Sequence, residues 1–536
     1  MTHRIRDSIE RSRTASLWSK VLFHLEAHGT SRLLLLVVAA LASRVVFLLQ
    51  PGPIILGWRP TDMASIALNY YRNGFHFLSP QVNWGGNGPG YVETEFPIIP
   101  FLTAGLYRFF GIHEWLTLVI PLASGLGLVI VVYLLCRRLF GGTAGFAAGL
   151  FTAISPTLSC LTTSLWPDPP MIFFGALGIY ALTLWVSENT RTSFLVGAVA
   201  TSLAILLKLT ALYLGIPILY LCVLKYGLKV WKVPIVWLLG ILILLPVVVW
   251  YWHAYTLYLE YHNTFGILSG GYSKFATAAI LVDPTFYGDT LLRIVMYHLT
   301  PCVFAVFVYG MVTPGKNPLR YVAHVWAGAA VLSFLVAARG AVDGHYQYVL
   351  PIVPPAAVLA GFGTVLVIKK LQSWSISRSR LSTVYSMLAF LFLAGVASGE
   401  SLYRSRDRFS TPGWENDRRT GLAVGRVTAP GSLIVVVDTQ MDAFTPETSM
   451  TPPNVFYFSD RYGWYVSLGW LNQEWIEQLR VKGARYLAVT ANAESAFQSS
   501  AVRSYLSAHY HRVLRSDDGI VYDLAVEQRA VPTGVR

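Results

Sequence analysis

The sequence is poor in charge: only 13% of its 536 residues are Asp, Glu, Lys or Arg, against 54% hydrophobic residues and a mean hydropathy of +0.51. Too little polar surface remains for most of the chain to face water, which excludes an ordinary soluble protein. Long apolar runs with scarce alternation then select membrane helices over a closed barrel. Cysteine is equally scarce, and Cys136, Cys160, Cys222 and Cys302 all fall within apolar runs. There is no disulfide framework and no metal-type cysteine spacing, so the four read as small packing residues of a helix bundle. The first apolar run has no small-residue cleavage site after it, and reads as an uncleaved signal anchor.

Eleven spans are expected, near 32–50, 115–136, 143–164, 169–187, 193–209, 211–225, 233–252, 291–312, 321–338, 347–368 and 383–402, with a short extra segment at 97–111. Basic residues gather in loops that should share one side: Arg4 to Lys20, Arg137 and Arg138, Arg191, Lys225 to Lys232, Lys316 to Arg320 and Lys369 to Arg380. The positive-inside rule makes those loops and the amino terminus cytoplasmic. The formal charge of +13 is thereby a topology signal scattered over many loops, not a nucleic-acid surface. An odd number of spans puts the carboxy terminus outside, in the cell membrane of a multi-pass protein.

Two domains follow from the change of composition after Tyr403: residues 1–402 form the membrane domain, with a first external loop at 51–114, and residues 403–536 a soluble extracytoplasmic α/β domain. Within the latter, 432–437, 454–459 and 486–490 carry strand patterns, while 471–481 and 495–510 carry helical ones. Alternating strands and helices suggest a small layered fold. It contains no G-x-G-x-x-G fingerprint and no catalytic triad, so it reads as a lid or acceptor platform. The fold class is a polytopic α-helical membrane protein with this domain on its outer face.

The ionisable residues that are not topology signals fall at outer helix ends: Asp62, Glu93, Glu95, Asp168, Lys208, His253, Glu260, His262, Asp283, Asp289, Asp343 and His345. The stretch from Gly57 to Leu102 concentrates three of the carboxylates among glycines, prolines and aromatics, between two apolar segments. Met63, Ile66 and Tyr70 have helical spacing, which predicts an amphipathic helix along the membrane interface, with Thr61 or Asp62 as its cap. A helix amino terminus also keeps a carboxylate ionised for work as a base or metal ligand. Glu93 and Glu95 precede Phe96-Pro97, a rigid element that fixes where they point. Asp168 precedes Pro169-Pro170, where it caps a helix or orients the site. His253 and His262 follow Trp250-Tyr251-Trp252, an aromatic belt at the membrane boundary. Oxygen donors from Asp62, Glu95 and Asp168 would suit a magnesium or manganese ion.

The order of five motifs resembles the GT-C glycosyltransferases, and among them the protein O-mannosyltransferase and lipid A aminoarabinose transferase group. They are Arg59-Pro60-Thr61-Asp62 after the first span, Glu95-Phe96-Pro97-Ile98-Ile99-Pro100, Trp166-Pro167-Asp168, Leu207-Lys208-Leu209-Thr210, and His345-Tyr346-Gln347-Tyr348 entering the tenth span. The resemblance covers about residues 30–370 and implies a sugar taken, with inversion, from a polyprenyl-phosphate carrier to an acceptor hydroxyl on a lipid, glycan or protein at the outer face. It implies that Asp62 is the base or acceptor-positioning carboxylate, that Asp168 orients the site, and that Lys208, His345 and Tyr346 meet the lipid phosphate. Glu95 joins the catalytic candidates, and Glu93 and His253 the substrate-binding ones. The Glu93/Glu95 pair departs from the family, in which many members carry a lysine nearby.

Two other classes compete. A secondary transporter accommodates eleven spans and a basic charge equally well, but would place ionisable groups at the bilayer midplane and show internal repeats; Arg44 and His324 are the main mid-span candidates, and no repeat is found. A scaffold binding a partner through its outer domain would not need the ordered outer acid, lysine and histidine-tyrosine positions.

Overall fold

A computed structural model describes residues 29–49, 55, 57–271, 273–315, 317–342, 345–374, 381–404, 412–441 and 451–527. Asp343 and the basic amino-terminal segment lie outside these residues. Seven helices are long and apolar enough to cross a membrane unaided: Thr30–Leu48, Glu114–Phe140, Asp168–Glu188, Leu209–Lys232, Pro234–Tyr261, Pro318–Val336 and Leu350–Ser373. Pro284–Leu299 and Pro301–Val312 make an eighth candidate, bent by 105°.

The remaining three expected spans are helical too, two of them in shorter pieces. The 143–164 segment is two pieces, Gly142–Ala153 and Pro156–Leu161, and 193–209 is the 17-residue Arg191–Leu207; 383–402 is Leu381–Arg404. The first of these breaks because Pro156 has no N–H to continue the ladder. Side chains take up the carbonyls the break exposes: Arg44 donates from Nη1 to Ala153 O at 2.8 Å and from Nε to Thr162 Oγ1 at 3.1 Å, and the Ser401 hydroxyl donates to Ile154 O. Arg44 is thus a clamp across a helix break, the kind of partner that irregular backbone at membrane depth requires. His324 sits in the first turn of Val322–Val336 rather than at mid-span.

The predicted interfacial helix starts earlier and lies deeper than expected. It runs from Trp58 to Asn73, with Gly57 at its N-cap, no side-chain cap, and every residue from Pro60 to Tyr70 buried. The capping roles proposed for Thr61 and Asp62 are therefore not the ones they play. The helix is covered on three sides: Met63 and Ala64 pack into the main bundle core, Ala67 packs with Tyr107 and Leu116, and Ile66 and Tyr70 face the C-terminal domain. An amphipathic pattern fits a helix held between two protein layers as well as one floating on lipid.

The C-terminal domain holds a five-stranded sheet: β1 (Leu433–Asp438), β2 (Tyr462–Ser467), β3 (Ala484–Thr490), β4 (Tyr510–Ser516) and β5 (Gly519–Glu527), in the order β2-β1-β3-β5-β4. β1 is parallel to β2 and β3, and β5 is antiparallel to β3 and β4. Val435, Val437, Leu487, Val489, Ile520 and Tyr522 bury one face under the helices Gln473–Val481, Glu494–Gln498 and Ala501–His509. The alternate residues Ile434, Val436, Tyr486, Ala488 and Val521 bury the other face in a cluster with Val424, Val455 and Phe456 that continues to Ile66, Tyr70, Val82 and Trp84 of the first loop. Burial on both faces explains why β1 reads as a continuous apolar run.

The expected strands at 432–437 and 486–490 and the helix at 471–481 are present, and 495–510 divides into two short helices. The 454–459 segment is a helix rather than a strand. Its aromatic, β-branched sequence favours a strand, but tertiary packing decides otherwise. It lies against Pro412–Val427, where Gly421 and Gly425 let the backbones meet: a Cβ at either would come within 3.0 Å of Val455 O or Ser459 O. The domain is tied to the first loop at its β2 edge, through Gly86 N to Gly463 O at 2.8 Å and Gly463 N to Asn83 O at 3.1 Å. Tyr462 OH donates to Asn69 Oδ1 at 2.8 Å, and Arg72 pairs with Asp460 at 2.6 Å.

Candidate active site

The Trp58–Asn73 helix carries Arg59 and Asp62 one turn apart, so both side chains leave the same face. Asp62 is fully buried. Its Oδ1 accepts the Trp84 indole N–H at 3.1 Å, while its Oδ2 is buried without a hydrogen-bond partner. Burial pushes its carboxyl up to about 8, against the opposing pull of Arg59 and the Trp84 hydrogen bond. Arg59 lies over the Phe265 ring at 4.4 Å and 3.5 Å from Glu95 Oε2, an ion pair without a hydrogen bond. Burial works against its charge, but Glu95, Asp62, Tyr348 and Asp168 together hold the guanidinium above its ordinary value. All four act electrostatically on one cation.

Asp168 and Lys208 complete the group from two other helices. Asp168 is the first residue of Asp168–Glu188, followed by the Pro pair that suits a first turn. Lys208 ends Arg191–Leu207 in extended backbone. Lys208 Nζ meets Asp168 Oδ1 at 2.6 Å and lies 4.9 Å from the centre of the Tyr348 ring; Asp168 Oδ2 is buried with no hydrogen-bond partner. The His345 and Tyr348 rings are 6.2 Å apart. Tyr346 begins the 3₁₀ turn Tyr346–Tyr348, and its side chain lies outside the described residues.

A shared floor fixes these positions. Phe96 N and Tyr251 OH both donate to Leu206 O, each at 3.1 Å, and Trp250 Nε1 donates to Thr94 O at 3.1 Å. Glu95 and Lys208 are thereby set from one junction. Lys274 approaches from the loop that follows the Pro234–Tyr261 helix; its ammonium donates to Gly266 O at 2.8 Å. Burial first, then the neighbouring Arg59 and Lys208 charges, push it down to about 8.

The remaining expected residues lie apart from this group. Glu93 accepts from the Thr264 hydroxyl and from Leu268 N at 2.8 Å, while its backbone pairs with Asn263 and Phe265. Its carboxyl is raised by burial and eased back by those bonds; the side chain staples the 263–268 loop. His253 Nε2 meets Leu78 O at 2.7 Å beside the Trp250 ring. Asp62, Glu95 and Asp168 do not suit a divalent cation: Glu95 faces Arg59, Asp168 faces Lys208, and among the described residues no three His, Cys, Asp or Glu side chains gather as ligands. Sequence reasoning gave no role to Arg59, Trp84, Lys274 and Tyr348, although Arg59 and Tyr348 stand in two of its motifs. Arg59 and Lys274 carried a signal, being cations in segments that the positive-inside reading of the sequence had assigned to the outer side.

The arrangement can receive a proton at Asp62 Oδ2 and hold an anion between Arg59, Lys208 and Lys274. The family described as dolichyl-phosphate-mannose-protein mannosyltransferase matches residues 94–252 of the sequence. No curated protein matches it. Among solved structures, ArnT from Cupriavidus metallidurans bound to undecaprenyl phosphate is 13% identical, with a TM-score of 0.58 over 95% of this chain and 100% of that one. The oligosaccharyltransferase AglB from Archaeoglobus fulgidus, with an inhibitory peptide and a dolichol-phosphate, is 12% identical, with a TM-score of 0.54 over 90% and 73%. The arabinofuranosyltransferase AftD from Mycobacteria is 14% identical, with a TM-score of 0.50 over 92% of this chain and 40% of that one. The chain has the fold of the GT-C membrane glycosyltransferases.

Proposed function

We propose that this protein is a GT-C glycosyltransferase that moves a sugar from a polyprenyl-phosphate donor to an acceptor hydroxyl, with inversion, at the outer face of the cell membrane, its amino terminus in the cytoplasm. One observation carries the reading: a buried carboxylate oxygen with no partner, Asp62 Oδ2, belongs to the same group as a lysine-aspartate pair and two further cations. The similar structures solved with undecaprenyl phosphate and with a dolichol-phosphate support the choice of donor.

In this mechanism Asp62 takes the proton of the acceptor hydroxyl, whose oxygen attacks C1 of the sugar from the face opposite the phosphate. The bond from C1 to the phosphate oxygen breaks, and the lipid phosphate leaves with the electron pair. Arg59, Lys208 and Lys274 hold the negative charge that develops on it. Asp168 keeps Lys208 aimed, and Glu95 does the same for Arg59. His345 borders the phosphate side through Tyr348, and Tyr346 keeps the phosphate-binding role that the sequence resemblance implies. A single displacement needs no covalent sugar-enzyme intermediate, so one base is enough.

The test uses purified protein in vesicles with labelled polyprenyl-phosphate sugars and candidate lipid, glycan and protein acceptors. Label should move to one acceptor class with the wild type, and Asp62→Asn should stop transfer while the protein still binds polyprenyl phosphate. Transfer retained by Asp62→Asn would remove Asp62 as the base.

A further inference from the structure

The amino-terminal turn of the helix that carries Arg59 and Asp62 is gripped by the C-terminal domain. Thr61, next to Asp62 and fully buried, shares its hydroxyl between Gly57 O at 2.7 Å, one turn back, and Asn454 Oδ1 at 2.8 Å. Asn454 opens the Asn454–Ser459 helix and is itself buried. Its amide is fixed in turn, because Nδ2 donates to Asp417 Oδ2 at 3.3 Å, and Asp417 also accepts from Gln440 Nε2 and Asn492 Nδ2, each at 2.7 Å. The Trp414 ring closes the other side of the turn. Gly57 has φ +101°, and a Cβ there would stand 3.0 Å from that ring. A chain of buried hydrogen bonds thus runs from the core of one domain to the residue beside the proposed base of the other.

We infer that Asn454 is a positioning residue for Asp62, holding the helix turn through Thr61 so that Asp62 and Arg59 keep their places relative to Trp84 and Glu95. The inference rests on the transfer mechanism for its consequence, but not for its geometry. Domain docking alone does not require this contact. The docking bonds from Arg72 to Asp460, Tyr462 to Asn69 and Gly86 to Gly463 lie toward the far end of the helix and at the β2 edge. A buried polar contact that docking does not need, made one residue from a catalytic carboxylate, is suited to setting its angle. A displacement of about 1 Å at such a carboxylate costs up to about a hundredfold in rate.

The test compares Asn454→Ala and Thr61→Val with Thr61→Ser and with Arg72→Ala as the docking control, in the full-length protein. Asn454→Ala should lower kcat about tenfold with little change in the donor KM, and should move the ascending limb of the pH profile of kcat/KM, since Asp62 shifts against Arg59 and Trp84. Thr61→Val should match it, the double variant should be no worse than either single one, Thr61→Ser should restore the rate, and Arg72→Ala should leave it unchanged. Hydrogen exchange supplies a readout that does not depend on transfer: amides 58–64 should exchange faster in Asn454→Ala while β1 and β3 stay protected. Faster exchange in a protein whose wild type transfers no sugar would sustain the positioning contact and remove the transfer mechanism instead. Unchanged exchange at 58–64, or a loss in Arg72→Ala equal to that in Asn454→Ala, would overturn the inference.

Discussion

The molecule buries carboxylates in two places, and the two differ in kind. Under the first loop, Asp62, Glu95 and Asp168 are interleaved with Arg59, Lys208 and Lys274, and two carboxylate oxygens have no hydrogen-bond partner. In the C-terminal domain, Asp417 and Asp438 meet with no cation paired to them among the described residues, and amide groups of Gln440, Asn454 and Asn492 and the backbone of Thr439 satisfy them. Burial raises the carboxyl of Asp62 in the first place and those of Asp417 and Asp438 in the second. What separates a site from a structural node is therefore not the shifted carboxyl but the open valence beside fixed opposite charge.

The largest effect should come from neutralising one acid of each kind. Asp62→Asn keeps the shape of the side chain and removes the base, and transfer should fall by about 10²- to 10⁴-fold. Asp417→Asn exchanges a carboxyl that burial already favours in its neutral form, and its cost in transfer should not exceed the roughly tenfold expected for Asn454→Ala. Initial rates with one labelled donor measure both, and equal losses would erase the distinction between the two clusters.

Removing a cation sharpens the comparison further, because among the described residues only the first cluster has any. Lys208→Met leaves Asp168 buried and unpaired, which costs about 3 kcal/mol when a buried pair is broken from one side. Both folded yield and donor affinity should fall. Adding Asp168→Asn should recover the yield, read as detergent-stable monodisperse protein, but not the donor affinity, since the lysine charge is still missing.

How far each cluster could be read from the sequence follows from the same physics. The first was legible because a membrane makes charge conspicuous: a lysine at 208 or an aspartate at 168 at the ends of apolar runs needs a reason. The same argument, carried to Arg59 and Lys274, would have completed the ring of cations. Trp84 was not legible, since the glycine-rich stretch around it has no periodicity and its partner is set by how the loop folds back. The second cluster stayed hidden because its members come together only through the tertiary fold. Thr61 and Asn454 are 393 positions apart, and a strand-like pattern at 454–459 concealed the helix that brings Asn454 to the interface. Short charged strands such as β4 were missed for a related reason: an edge strand facing water shows no apolar alternation.

A smaller effect concerns how Asp62 is tuned. Its carboxyl stands near 8 because burial outweighs Arg59 and the Trp84 N–H, so the base form is gained as pH rises through that value, and kcat/KM should climb over the same range. Trp84→Phe removes a bond that favours the ionised form. The ascending limb should move to higher pH by about one unit, equivalent to about 1.4 kcal/mol, with the plateau rate nearly kept. A limb that stays in place would mean that a group other than Asp62 sets it.

The smallest effect, and the one that reaches the second cluster alone, is on stability. Burial, and after it the charge of Asp438, raise the Asp417 carboxyl from 3.8 to about 8. The folded domain therefore binds a proton that the unfolded chain has released. Where the native state binds more protons, stability falls as pH rises, here between about 4 and 8, by up to about 1.4 kcal/mol per pH unit for one group. Below pH 4 both states are protonated and the dependence vanishes; above 8 both are ionised and the loss is complete. Hydrogen exchange of β1 and β3 amides in the full-length protein should accelerate from pH 5 to pH 8 beyond the intrinsic chemical increase. Asp417→Asn stays neutral throughout and should flatten that slope, gaining protection at pH 8 relative to the wild type. If its slope equals that of the wild type, the Asp417–Asp438 contact carries no net proton, and the second cluster would have to be explained by its amide partners alone.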